Sequence, residues 1–406
     1  MEGPEMAGAP AGRPFPWRRF LAGVAALAGG AAACALLVGG LVVLFVRLSW
    51  PHTEALGNPA FGINFSCNYA EYLLLEDAAT GNGHVPDDRP GRARWCAGTL
   101  GELLEGLGAR HVRLSVEWSQ VEPRQGEFDW TLIDALLSEA EEHGARVLLT
   151  VGLKAQRHPE YYIPGWVLER ASVAYGDEVS SDPFVRERAL VMIEAAVAHF
   201  SQSGAIDAWG ADNEPYVPSL RASNWSLSRE FVQKEVAAIR ANDPLGRPVS
   251  INHGQHFVFD RRWKHALADA DVLAQSLYPW RNYDIPGRTL VVPILEIGPL
   301  APNYSYQARL AREQGRNFWI TEMQAEPWVD GDIRLVSPER PSANLTEANF
   351  RKNIDYARRV GADRIYLWGA EWWLYQRVRY GDARWWNLGR AAIEGSGNAP
   401  PAAQMR

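Results

Sequence analysis

Eight short apolar runs, spaced along the chain with helix-patterned segments between them, limit what this sequence can fold into more than any other feature. The runs are Ala60 to Ser66 (AFGINFS), His111 to Trp118 (HVRLSVEW), Ala145 to Gly152 (ARVLLTVG), Ile206 to Ala211, Pro248 to Asn252, Asp271 to Tyr278 (DVLAQSLY), Asn317 to Glu322 and Arg364 to Trp368 (RIYLW). Thr131 to His143, Pro183 to Phe200 and Ala348 to Val360 carry apolar residues at helical spacing with charges on the other face. Two of these segments stop at glycine, in His143-Gly144 and Val360-Gly361, just before the next run. Eight strands with a crossover after each, in roughly 340 residues, is the count of a (β/α)8 TIM barrel, whose active site lies at the C-terminal ends of the strands. The competing arrangement, a doubly wound sheet, wants a Gly-rich phosphate turn after the first strand. Phe61-Gly62-Ile63-Asn64-Phe65-Ser66 offers none.

The first 57 residues depart from this pattern. Phe20 to Val46 runs without a charge, longer than the ~20 residues that cross a bilayer. We read residues 20–46 as a single transmembrane signal anchor, with a cleaved signal peptide as the alternative; the apolar region of such a peptide is normally only about 7 to 15 residues. Arg13, Arg18 and Arg19 precede the stretch and only Arg47 follows closely. The positive-inside bias then predicts a cytoplasmic tail over 1–19, a lipid-embedded 20–46, a linker over 47–57, and an extracytoplasmic catalytic domain over 58–395 with a flexible tail at 396–406. Outside the membrane only Cys67 and Cys96 remain, and an oxidising compartment allows them to pair as a disulfide; two buried free thiols are the other reading. With 406 residues, 47% of them hydrophobic, and a formal net charge of -7, the chain is an enzyme-sized folded body and not a nucleic-acid binder by bulk charge.

Two acidic residues stand where a barrel would present them. Glu214 follows the fourth run in Ala208-Trp209-Gly210-Ala211-Asp212-Asn213-Glu214-Pro215, and Glu322 closes the seventh in Asn317-Phe318-Trp319-Ile320-Thr321-Glu322. Strands four and seven of a barrel face each other obliquely across the mouth. Two carboxyl groups there suffice to cleave a glycosidic bond, one protonating the leaving oxygen and the other attacking the anomeric carbon. A retaining reaction wants them about 5 to 5.5 Å apart, an inverting one about 6.5 to 9.5 Å. The histidines show no HExxH or clustered ligand spacing, so no metal or other cofactor is implied.

Over residues 58–390 the chain resembles clan A glycoside hydrolases, the retaining TIM-barrel enzymes that include cellulase-type family five and β-galactosidase family forty-two. The resemblance rests on Asn213-Glu214-Pro215, Ile320-Thr321-Glu322, Val112-Arg113-Leu114, Trp118 followed by Glu122-Pro123 and Gly126-Glu127-Phe128-Asp129-Trp130, Tyr278, and Trp368. It implies that Glu214 is the general acid/base and Glu322 the nucleophile. Asn213 would bind the sugar 2-hydroxyl, Arg113 would keep Glu322 ionised, Tyr278 would steer Glu322, and Trp368 would floor the glycone. Trp118 and Glu371 are further candidates for substrate contact, Glu371 in a loop with Trp372 and Trp373 that walls a subsite. Glu117 and Glu326 compete as sugar-binding acids. Where many cellulase-type members place a histidine after strand three, this chain reads Leu153-Lys154-Ala155-Gln156-Arg157-His158, so Lys154 or His158 would take that contact. The resulting expectation is a membrane-anchored retaining β-glycosidase acting on a carbohydrate substrate; the alternative is a catalytically silent or slow carbohydrate-binding protein on the same barrel. The sequence leaves open the sugar, exo against endo action, and the oligomeric state.

Overall fold

The computed structural model describes residues 17–49, 58–75, 86, 88–219, 223–254, 259–285, 288–293, 301–329 and 331–396. Most of the expected linker (from residue 50), the cytoplasmic tail up to residue 16 and the C-terminal tail beyond Ser396 lie outside them. The chain divides into two units, Met1–Pro51 and His52–Arg406. Among its described residues the first contains one α-helix, Trp17–Ser49, whose stretch Gly23–Val42 is long and apolar enough to cross a membrane and is exposed throughout.

The second unit is a closed barrel of eight parallel strands: β1 Ala60–Asn64, β2 His111–Ser115, β3 Arg146–Val151, β4 Ile206–Ala211, β5 Val249–His253, β6 Val272–Leu277, β7 Asn317–Gln324 and β8 Arg364–Trp368. All eight predicted runs are barrel strands, and β8 pairs back onto β1 through Phe61↔Ile365 and Gly62↔Tyr366. β7 is longer than the sequence suggests, so Glu322 lies inside it rather than at its end. A hairpin of Trp280–Ile285 and Arg288–Pro293, not anticipated, follows β6. The Gly- and Pro-rich segment after Cys67 is partly helical, with Cys67–Leu74 capped by the Ser66 side chain and Arg89–Leu107 capped by Asp88.

The strands are buried on both faces, as a parallel sheet covered by helices requires. Inside the barrel Leu148, Ala208, Val272, Ala274, Trp319 and Tyr366 form a small core of their own. A much larger core fills the space between strands and helices, and it absorbs tryptophans that the sequence suggested as sugar platforms. Trp118 is one: it is fully buried, meets Trp166 edge to face, and donates from its indole nitrogen to Glu122 Oε2 at 2.6 Å. It offers no surface to a sugar. Trp372 and Trp373 are likewise fully buried, on the helix Ala370–Tyr380 rather than in a loop.

Glu122 itself is fully buried and accepts from three further groups besides packing: Trp118, the Gly126 N–H at 2.8 Å, and Arg188 Nη2 at 2.8 Å. Removing it would orphan a buried guanidinium, an indole N–H and a backbone N–H together. Glu122→Ala is expected to lower unfolding stability by about 3 to 5 kcal/mol, read by denaturant titration of the purified protein, a magnitude typical of breaking a buried ion pair from one side.

Candidate active site

At the C-terminal mouth of the barrel, β2 supplies Arg113, a guanidinium only 1% exposed. Arg113 Nη1 donates to Glu322 Oε1 at 2.8 Å and Nη2 donates to Asn213 Oδ1 at 2.7 Å. Tyr278, just past β6, donates its hydroxyl to Glu322 Oε2 at 2.6 Å. Both oxygens of Glu322 are therefore held, one by a cation and one by a phenol. The site brings together five of the residues expected from sequence: Arg113, Asn213, Glu214, Tyr278 and Glu322.

The turn after β4 is built under strain. Asp212 and Glu214 both have positive φ, 56° and 45°, a region costly for residues with a side chain. Four contacts hold it there. The Glu214 N–H donates to Asn252 Oδ1 at 2.7 Å, and Asn252 Nδ2 donates to Asn213 Oδ1 at 3.2 Å. The Asn213 N–H donates to the Lys154 carbonyl at 2.7 Å, and Lys154 Nζ donates to the Glu214 carbonyl at 3.2 Å. Lys154 also pairs with Glu160 at 3.2 Å and is 1% exposed, so it braces the turn instead of meeting substrate. His158 is exposed. The Glu214 carboxyl group is half-buried and lies over Gly254, where an added Cβ would come within 2.4 Å of Glu214 Oε1.

Electrostatics at the mouth differ in one respect from the sequence expectation. Burial pushes the Glu322 carboxyl upward, Arg113 pulls it back, the nearby Glu214 charge pushes it up again, and the Tyr278 hydrogen bond pulls it down. The balance lies above the ordinary carboxylate value, so Arg113 offsets only part of the cost of burial. The same two glutamates, added to burial, raise the Tyr278 phenol well above its usual value, which keeps it a donor.

Next to this pair lies a second buried network that the sequence did not single out. Arg157, with φ 73°, is sandwiched between the Tyr69 ring at 3.6 Å and the Trp368 ring at 3.8 Å. It is paired with Glu326 and, at 3.1 Å, with Glu371 Oε2. Glu371 Oε1 also accepts from the Ser66 N–H at 2.9 Å, and the Tyr69 hydroxyl donates to Glu326 Oε2 at 3.2 Å. Trp368 thus presents a ring already covered on one side by a guanidinium, and Glu371 is fully buried on a helix rather than exposed in a loop. Glu117 is buried beside Asn68 and is pushed up to about 7, chiefly by that burial. Cys67 and Cys96 are joined by a disulfide that ties the helix Cys67–Leu74 to the helix Arg89–Leu107.

A closed parallel barrel that carries Glu214 in the turn after its fourth strand and Glu322 on its seventh fits one class, the clan A TIM-barrel glycoside hydrolases. Residues 101–319 match the model of glycoside hydrolase family 42, described as beta-galactosidase. That is more than half of the chain, and the chain belongs to this family, one of retaining enzymes acting on O-glycosyl bonds. The match includes Arg113, Asn213, Glu214 and Tyr278 and stops three residues short of Glu322. Among solved structures, a GH5_18 protein from Bifidobacterium longum subsp. infantis is 13% identical with a TM-score of 0.53, covering 84% of this chain and 78% of that one. The beta-galactosidase of the psychrophilic Marinomonas ef1 is 17% identical with a TM-score of 0.51, covering 76% and 53%, so this chain spans about half its length. The exo-beta-1,4-mannosidase Op5Man5 of Opitutaceae bacterium strain TAV5 is 18% identical with a TM-score of 0.50, covering 83% and 60%. At these identities the likeness shows the fold alone. No curated protein sequence matches the chain.

The nearest atoms a methyl group at position 254 would meet are the carboxyl end of Glu214, so its cost falls on activity rather than on folding. Gly254→Ala is expected to lower kcat/KM by about 10- to 100-fold, as a misplacement near 1 Å does at a catalytic group, with little change in melting temperature.

Proposed function

We propose that this protein is a membrane-anchored, outward-facing retaining β-glycosidase that works by double displacement with Glu322 as nucleophile and Glu214 as acid/base. The observation that carries the reading is the clamp on Glu322: Arg113 and Tyr278 each hold one carboxylate oxygen, and Glu214 lies near enough for its charge to act on the same group. In the first step a lone pair of Glu322 bonds the anomeric carbon while Glu214 gives its proton to the departing oxygen. In the second, Glu214 takes a proton from water, whose oxygen displaces Glu322 and restores both groups. Arg113 and Tyr278 stabilise the carboxylate that attacks and that leaves again. With its oxygen committed to Arg113 and Asn252, Asn213 keeps its amide nitrogen for the sugar 2-hydroxyl, the contact this reading assigns to it. The substrate is a β-linked carbohydrate, with a β-galactoside the first choice from the family description.

The apolar helix Trp17–Ser49, with arginines before it, supports the anchor, and the Cys67–Cys96 disulfide supports an oxidising outer side.

A panel of 2-deoxy-2-fluoro glycosides, applied to right-side-out and to inverted membrane vesicles, tests both halves of this reading. Covalent labelling at Glu322 by peptide mapping, in right-side-out vesicles only, is the expected result, and the sugar that labels names the glycone. Labelling on another residue would replace Glu322 as nucleophile, whereas oligosaccharide binding with no label across the panel would favour the silent binding protein. Removing the hydroxyl that steadies the Glu322 carboxylate gives a second check. Since that hydrogen bond lowers the Glu322 value, Tyr278→Phe is expected to move the acidic limb of the kcat/KM profile to higher pH.

A further inference from the structure

A buried pair of acids beneath the Glu214 turn takes no part in the chemistry above. Asp212, 1% exposed, is the residue before Asn213; Glu235, fully buried, rises from the helix Arg229–Asn242 that follows the turn. Their carboxyl groups lie together against Gly152, the residue that follows β3, and act strongly on each other. A Cβ on Gly152, at φ 139°, would lie 2.3 Å from Asp212 Oδ1 and 3.1 Å from Glu235 Oε1. Asp212 Oδ1 accepts from the Lys154 N–H at 2.6 Å. Among the described residues, Asp212 Oδ2 and both Glu235 oxygens have no donor.

Two ionised carboxylates in contact, dry and without a donor, would be an uncompensated buried charge. A single proton between them gives the stranded oxygens a partner, the arrangement that close carboxyl pairs adopt. The surroundings do not replace that proton. Lys154 lends positive charge, but its ammonium is committed to Glu160 and to the carbonyls of Glu214 and Val217. Among the described residues the other titratable groups that act on the pair are Tyr161 and Tyr216; Glu160 acts in turn on Tyr161, and Asp269 and Arg229 on Tyr216. Burial and the acid pair keep both phenols protonated, but among the described residues neither hydroxyl makes a hydrogen bond to the pair.

We propose that Asp212 and Glu235 share one proton and, as a hydrogen-bonded carboxyl–carboxylate pair, form a positioning element that holds the Asn213–Glu214 turn in its left-handed backbone. Losing the shared proton would drive the two side chains apart and withdraw Glu214 from its working place. The inference rests on the reading of Glu214 as the acid/base. Its pH direction follows from burial, which pushes Asp212 from 3.8 to about 6 and Glu235 well above the ordinary carboxylate value. The folded state then holds the proton more tightly than the unfolded chain. The stabilisation is complete below ordinary carboxylate values and is lost as pH rises through the raised ones.

The test uses the full chain in detergent micelles and dinitrophenyl β-galactoside, whose leaving group needs no proton from Glu214. On this substrate kcat is limited by deglycosylation, in which ionised Glu214 is the base, so an alkaline fall in kcat reports displacement of Glu214 by the pair and not loss of the general acid's proton. Wild type is expected to lose about tenfold or more between about pH 6 and pH 9, while Glu235→Gln, whose amide can donate to Asp212, stays within about threefold across that range. Glu235→Ala, with no donor to offer, is expected to be impaired at every pH. Identical alkaline limbs in wild type and Glu235→Gln would overturn the proposal. An infrared difference spectrum decides independently of turnover. A carboxylic acid C=O stretch at neutral pH, lost in both Glu235→Gln and Asp212→Asn, is expected; its absence from wild type overturns the shared proton even if the galactoside proves unreactive. Turnover surviving in Glu322→Gln would instead count against the catalytic reading while leaving the infrared result in force.

Discussion

The site depends on one buried guanidinium. Arg113 leaves the middle of β2, where it pairs with Asn64 on β1 and Leu148 on β3, and crosses the barrel mouth to Glu322 on β7 and Asn213 beyond β4. A cation 1% exposed is tolerated only if its donors are met by well-placed acceptors, so the geometry of three distant strands becomes a condition for burying it. The converse also holds. Glu322 is 3% exposed and needs Arg113 as much as Arg113 needs it. This reciprocal demand explains how the Glu322 carboxylate and the Asn213 amide, 109 residues apart in the chain (322 − 213), can be held by one guanidinium.

The turn after β4 shows the other way a barrel secures such a site. Here the backbone is strained, and the strain is held by contacts from β5 through Asn252, from the loop after β3 through Lys154, and from below through the acid pair. None of these groups needs to touch a sugar. Their work is to deny the turn any lower-energy arrangement, which is what allows a half-buried glutamate to keep one position before substrate arrives.

How much of this could be read from sequence follows from what each signal depends on. The eight strands were legible because burial on both faces leaves continuous apolar runs, and Glu214 and Glu322 because they stand at the mouth ends of two such runs. Arg113 and Tyr278 were reached through family resemblance. Tryptophan misled: Trp118, Trp372 and Trp373 follow apolar runs just as a platform would, and only the packing of the outer helices decides that they are core. Arg157 was invisible for a different reason. It is one basic residue in a loop without periodicity, and its meaning comes from Tyr69, Glu326, Trp368 and Glu371, contributed by three other parts of the barrel. Glu235 lies 21 residues beyond Glu214 (235 − 214) on what reads as an ordinary amphipathic helix, and nothing in its spacing marks it as the partner of Asp212.

Three buried acid clusters at one end of the barrel differ chiefly in how much cation each is given. Glu326 and Glu371 share Arg157, stacked between two rings, and burial still raises Glu371 against the pull of that arginine. Glu322 has Arg113 to itself but feels Glu214, and it too settles above the ordinary value. Asp212 and Glu235 have only a lysine whose ammonium is spent on other partners, and Glu235 rises well above the usual range. Three cations, Arg113, Arg157 and Lys154, thus stand beside three sets of buried acids, and the less positive charge a set is given, the more of the compensation for burial must come from a bound proton.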